Sequence, residues 1–172
     1  MRGQGSVEGR DAETDDAIGN CLSDASSSDN WQDFLVRLGH GMRQIALDDP
    51  ELFLVAAATP PPEAPWVRPP LASLSWMETF LNTLFAYGFD DDAAVAAYRS
   101  YTTFLLGQLL LEVAAHSPAI GAAPGRTAAG ELAQYPNLFR LQPMLSEDHS
   151  LAEFEDALEA LLERIERMRA SL

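Results

Sequence analysis

The sequence predicts an all-α protein, a helical bundle that dimerises by closing a four-helix bundle across a two-fold axis. Three observations carry this expectation. From residue 29 onward apolar residues recur at helical spacing, and no stretch alternates as a strand would. Capping residues, glycine and proline mark where helices start and stop. Finally Leu151, Phe154, Leu158, Leu161, Ile165, Met168 and Leu172 follow one another at spacings of 3, 4, 3, 4, 3 and 4, an a/d seam over three heptads.

The elements are justified in chain order. Residues 1–29 read as a disordered acidic tail, with residues 30–172 forming the domain. The first thirty residues hold seven acids, two arginines and a serine run, and their apolar residues are too scattered to offset the entropy of ordering. Cys21, in that stretch, reads as an incidental thiol. Asp29 with Gln32 resembles a capping box, after which Trp31, Phe34, Leu35, Leu38, Met42 and Ile45 form a helical stripe. Asp49-Pro50 closes that helix and opens a short one that is apolar nearly all round. Residues 59–70 contain six prolines and must form a loop, either a plain connector or a polyproline ligand for an aromatic groove. A helix over 71–87 follows and ends at Gly88-Phe89 in the manner of a Schellman motif. Asp90-Asp91-Asp92 caps the longest helix, which runs to about His116 before Ser117-Pro118 stops it. Residues 117–130 read as loop, with short helical pieces around Pro136. Ser150 and Glu153 form a capping box for the last helix.

Composition excludes several classes of function. The 26 acids and 11 bases give a net charge of −15, and every base is an arginine. Such a surface repels phosphate backbones and anionic lipid, so no direct nucleic-acid or membrane partner is expected. One cysteine cannot form an internal disulfide, and the longest apolar stretch is too short to span a bilayer. The N-terminus has no signal-peptide pattern, and a cytoplasmic protein is expected.

Constellations for catalysis are scarce, and no enzymatic activity or cofactor is expected. Glu112 and His116 share a helix face, the spacing of two metal ligands; the competing reading is a helix-terminal histidine favoured by the dipole, and no metal is assigned. The acidic triplet lacks the spaced ligands of a calcium loop, and no phosphate loop or nucleophile elbow is present. Two features remain. The long helix is apolar on opposite faces, so Tyr98, Leu105 and Leu109 join Leu151, Phe154, Leu158, Leu161, Ile165 and Met168 as the expected homodimer interface. The aromatic edge of the preceding helix gives candidate ligand-binding residues Met42, Phe53, Trp76, Phe80, Tyr87, Phe104 and Gln108, with Asn82 and Thr102 as further polar anchors. The same stripe also fits simple core.

The order of these elements resembles the C-terminal regulatory domain of TetR-family transcriptional repressors over residues 30–170. The cues are Trp31…Leu35…Leu38…Met42-Arg43 before Asp49-Pro50, then Leu81…Leu84…Tyr87-Gly88-Phe89. They continue with Tyr98…Thr103-Phe104…Gly107…Glu112, Tyr135-Pro136-Asn137-Leu138 and Phe154-Glu155…Leu158…Leu161-Leu162-Glu163. The resemblance implies a homodimer formed through the last two long helices and a pocket for a small, mostly apolar effector. The family's N-terminal helix-turn-helix has no counterpart before Trp31, so this chain is not expected to bind an operator by itself. The alternatives are a structural dimerisation module without a ligand, or an antagonist that pairs with a full-length repressor.

Overall fold

The computed structural model describes residues 16–51, 53–54, 63–67, 73–116 and 134–170. Six helices are labelled here: α1 (residues 16–25), α2 (Trp31–Asp48), α3 (Leu74–Ala86), α4 (Asp91–His116), α5 (Pro136–Leu145) and α6 (Ser150–Ala170). Residues 50–51 and 53–54 are also helical, and no strand occurs among the described residues. The all-α expectation holds. The expected loop over 117–130, the first fifteen residues of the expected tail and the seam's Leu172 lie outside the described residues.

Local chemistry sets the helix ends. Asn30, rather than the neighbouring Asp29, caps α2, its side chain accepting the Asp33 N–H at 2.8 Å. Ser73 caps α3 by accepting the Trp76 N–H. That helix closes as a Schellman motif: Phe89 N–H bonds Leu84 O at 3.2 Å and Gly88 N–H bonds Phe85 O at 2.9 Å, with Gly88 at a φ of 84°. Asp90 Oδ1 takes the Ala93 N–H at 2.8 Å to start α4. At α6 the Ser150 N–H donates to Asp148 Oδ1, so Ser150 is already helical and the cap lies two residues before it. That bond holds the Asp148 carboxyl below its usual range.

α4 is the hub, packed against α2, α3 and α6, while α2 also touches α6. Its buried face, including Ala94, Ala97, Tyr101, Leu105, Leu109 and Val113, is covered by this chain's own helices. Phe34, Leu35, Leu38 and Met42 come in from α2, Phe80 and Leu84 from α3, and Phe154 and Leu158 from α6. Five aromatic rings meet at the centre. Phe80 stands 5.3 Å from Trp76, 5.7 Å from Phe34, 5.7 Å from Tyr98 and 5.8 Å from Tyr101. The buried Tyr101 hydroxyl donates to Leu35 O at 2.6 Å, which satisfies the one polar atom this ring brings into the core.

Two expectations need correction. The acidic tail is not irregular throughout: residues 16–25 form α1, whose Ile18, Leu22 and Ala25 are buried in the core. Their i, i+4, i+7 spacing makes a short apolar stripe inside a stretch whose overall composition is polar. Cys21 on α1 faces α2 where Gly41 stands. A Cβ at Gly41 would lie 2.2 Å from Cys21 Sγ, so the two helices approach this closely only because residue 41 has no side chain. The second correction concerns the seam. Tyr98, Leu105, Leu109, Phe154, Leu158 and Ile165 are all buried within a single chain, where Tyr98 packs on Phe80 of α3 and α4 packs on α6. A second copy cannot reach these side chains. Leu151 is exposed and Leu161 and Met168 are half-buried.

α2 and α4 are also joined by an ion pair. Arg43 donates from Nε and Nη2 to both carboxylate oxygens of Glu112, the Nε–Oε2 distance being 3.0 Å. The Glu112 side chain is only 6% exposed and that of Arg43 17%, so removing one partner strands a desolvated charge. Arg43→Met alone should therefore cost about 3 kcal/mol in urea unfolding, and Arg43→Met with Glu112→Leu should recover most of that loss. If the single and double variants lose the same stability, the pair does not hold α2 to α4.

Candidate functional site

The sequence-predicted ligand residues do not surround one cavity. Met42, Phe53 and Phe80 are buried in packed core, and Phe80 is enclosed by the aromatic cluster. Phe104 packs on Phe154 at 5.5 Å, on the far side of α4 from α3. Gln108 is half-buried on the same helix. Of these residues Trp76 and Tyr87 border a groove. The apolar periodicity thus identified the core's aromatic edge, and two of its members also face a groove.

That groove lies between α1 and α3. One compartment, about 350 Å³, has Ile18, Gly19, Leu22, Ser23 and Ser26 as one wall and Ser73, Ser75, Trp76 and Thr79 as the other. A second compartment of about 440 Å³ shares Ser26 and Thr79 with the first and extends along α3 to Asn82, Thr83, Ala86 and Tyr87. The two compartments adjoin at these shared residues. Among the described residues no carboxylate or cationic side chain lines either compartment.

The groove's polar atoms are mostly engaged. Ser26 Oγ donates to Leu22 O at 2.7 Å, Thr79 Oγ1 to Ser75 O at 2.9 Å and Thr83 Oγ1 to Thr79 O at 2.8 Å. Asn82 Nδ2 donates to Glu78 Oε1 at 3.4 Å, and the Ser73 and Ser75 hydroxyls share a proton at 2.9 Å. Tyr87 Oη donates to Ser28 O at 2.6 Å and ties the turn after α1 to the end of α3. Trp76 differs from all of these. Its Nε1 is buried and has no hydrogen-bond partner, the one side-chain atom of that kind among the described residues. Leaving such a donor unpaired costs about 1–3 kcal/mol.

Sequence reasoning missed one wall and the character of the other. Ile18 and Leu22 were assigned to the tail. Ser75, Thr79, Asn82, Thr83 and Ala86 recur at helical spacing along α3 and were legible as an uncharged polar face, but such a face reads as solvent-exposed unless a second helix is known to lie opposite it.

Other titratable groups offer little chemistry. Burial pushes the Tyr98 phenol up to about 12 and holds Tyr101 well above its ordinary value, so both rings stay neutral. Among the described residues no group of three or more His, Cys, Asp or Glu is placed to hold a metal. Glu112 is instead committed to Arg43, and His116 Nδ1 lies 2.8 Å from Glu112 O at the end of α4. No helix among the described residues is long and apolar enough to cross a membrane.

Comparison with known proteins places this architecture. The family model for the tetracyclin repressor-like C-terminal domain matches residues 25–169. Among solved structures, the chain is similar to a possible TetR family transcriptional regulator from Streptomyces coelicolor A3(2), at 24% identity and a TM-score of 0.66. That match covers 93% of this chain and 77% of the other. It is similar also to TetR from Acinetobacter baumannii AYE, at 24% identity and a TM-score of 0.61, covering 93% of this chain and 74% of that one. No curated protein matches.

Cys21, beside the groove wall, gives a measurable check on how firmly α1 is seated. Burial, and secondarily the Asp24 carboxylate, raises its thiol to about 11 from an ordinary 9.0. The thiolate is the reactive form, so iodoacetamide should modify Cys21 about a hundredfold more slowly at pH 8 than it modifies an unperturbed thiol, with the rate climbing toward pH 11. A rate at pH 8 equal to that of a small free thiol would show that α1 does not stay docked on α2.

Proposed function

The chain belongs to the tetracyclin repressor-like C-terminal domain family, and from that premise we propose that it takes up a small effector in the α1–α3 groove and pairs with a second copy of itself. The observation that carries the ligand part is the groove itself: two adjoining compartments lined by Trp76, whose buried indole N–H has no partner. As the regulatory part of a TetR-like transcriptional regulator, the domain converts occupancy of this groove into a shift between conformations that favour or disfavour repression. Its setting is the cytoplasm, where it acts without a cofactor and without enzymatic turnover.

The dimer reading rests on the apolar surface that the single chain leaves uncovered. On α4, Val95 and Leu111 are exposed, Leu111 by 69%, although the helix buries ten other residues. α5 has no buried residue at all, and its Leu138, Phe139, Met144 and Leu145 are each at least half exposed. Helices with such faces need a partner. The outer side of α4 with Leu151, Leu161 and Met168 of α6 is the face proposed to pair, in place of the seam residues buried inside the chain.

A second reading, a helical dimerisation module with no ligand, is favoured by the aromatic cluster that fills the space where Phe80 and Met42 were expected to line a cavity.

Two measurements test these statements. Leu111→Arg should convert a dimer to a monomer in light scattering with little loss of folding stability, because the side chain is exposed in the single chain. An unchanged dimer mass would remove the outer face of α4 from the interface. A thermal-shift screen over a broad panel of small uncharged and charged aromatic compounds should return stabilising compounds. A screen in which nothing raises the melting temperature favours the ligand-free module.

A further inference from the structure

The chemistry of the groove walls limits what kind of molecule fits them. We propose that the α1–α3 groove selects an uncharged, partly apolar ligand carrying both a hydrogen-bond acceptor and a hydroxyl or amide donor. This rests on the reading of the groove as the effector site and departs from the mostly apolar effector that the sequence implies.

Charge is decided by the lining. Among the described residues no carboxylate, guanidinium or imidazole borders either compartment, so an ion drawn into it would lose its water without gaining a counter-charge from them. The net charge of −15 adds a repulsive field against anions. Shape and hydrophobicity come from Ile18, Leu22 and Trp76, which give one end of the groove apolar walls that suit a flat ring.

Polarity is decided by counting protons. Ser26, Thr79 and Thr83 each spend their single hydroxyl proton on a carbonyl four residues earlier in their own helix. Their oxygens keep lone pairs, so toward the groove they act as acceptors, and a ligand must donate to them. Asn82 offers both kinds of group: one of its two amide N–H protons is taken by Glu78, which leaves the other as a donor and Oδ1 as an acceptor. Donors are rarer. The exposed Ser23 keeps its proton, and the Ser73–Ser75 pair has one proton beyond the bond it shares. Trp76 lines the same compartment and carries a buried N–H with no partner in the protein, a donor that a ligand meets once the ring shifts to uncover it. An ether or a hydrocarbon matches at most the apolar end, whereas a hydroxyl or amide group answers both kinds of site.

The test uses three naphthalenes of similar shape: 2-naphthol, 2-methoxynaphthalene and 2-naphthoate. Each is titrated into the ¹⁵N-labelled full chain while the indole N–H signals of Trp31, Trp66 and Trp76 are followed, with Trp76→Phe assigning the third. 2-Naphthol should shift the Trp76 signal selectively and bind about tenfold more tightly than its methyl ether. 2-Naphthoate should leave the signal in place. Thr79→Val, on the exposed side of α3, should weaken 2-naphthol about fivefold and leave the ether unaffected, with the dispersion of the spectrum reporting that the variant is folded. Equal affinity of naphthol and ether, with the Trp76 signal moving for both, overturns the donor requirement and leaves effector binding in the groove standing. Tighter binding of naphthoate overturns the exclusion of charge. If none of the three moves Trp76, the groove assignment falls, and the broad thermal-shift screen decides separately whether the domain binds ligands elsewhere.

Discussion

Phe80 is the contact on which the rest of the structure depends. Rings from α2, α3 and α4 converge on it within 5.3–5.8 Å, and edge-to-face and offset contacts of this kind add to the burial of large apolar surfaces. Because Phe80 is on α3, the cluster fixes how far α3 stands from α4. It also turns the opposite side of α3, with its serines and threonines, toward α1. The groove is therefore a by-product of a well-filled centre, opening between α1 and α3 once Phe80 has set α3 in place.

Much of this was legible in the sequence, and the reasons are particular. The α3 ending at Tyr87-Gly88-Phe89 was readable because only a few residue types solve the problem of terminating a helix, and the structure uses the bonds that such an ending requires. The bounds of α4 and α6 were readable from caps and periodicity. The direction in which their apolar stripes face was not. A heptad seam states that a helix is covered along one face, and it is silent on whether the cover comes from the same chain. Phe154, Leu158 and Ile165 turned inward because α4 already offered a continuous apolar face within reach. α1 was hidden for a different reason. Three buried residues in ten are invisible to a composition average over thirty, and the feature that lets α1 dock, the missing side chain of Gly41, is in another helix. The site was the least legible part, since a groove exists only between elements whose relative placement no single stripe encodes.

The ion pair of Arg43 with Glu112 shows how a strongly acidic chain manages a buried charge. With 26 acids and 11 bases, most carboxylates are left to water. The one buried acid among the described residues, Glu112, is met by a guanidinium in two-point contact, a geometry that an ammonium group cannot reproduce. Arg169, stacked over Trp31 and Phe89, uses the same planar cation against aromatic faces at the other end of α2. An all-arginine complement thus serves the interior as well as the surface.

The three buried side chains of α1 carry a consequence for the timing of events in this molecule. Ile18, Leu22 and Ala25, with Cys21 against Gly41 and the Tyr87 hydroxyl on Ser28 O, retain this helix. A segment held by so few contacts opens as a local unit, well before the aromatic centre yields. Opening removes one wall of the groove, so the same excursion that exposes α1 amides to exchange also unlocks the compartment. Residence of anything inside is then governed by the lifetime of a single short helix in its closed position, and the stability of that helix becomes the clock of the domain.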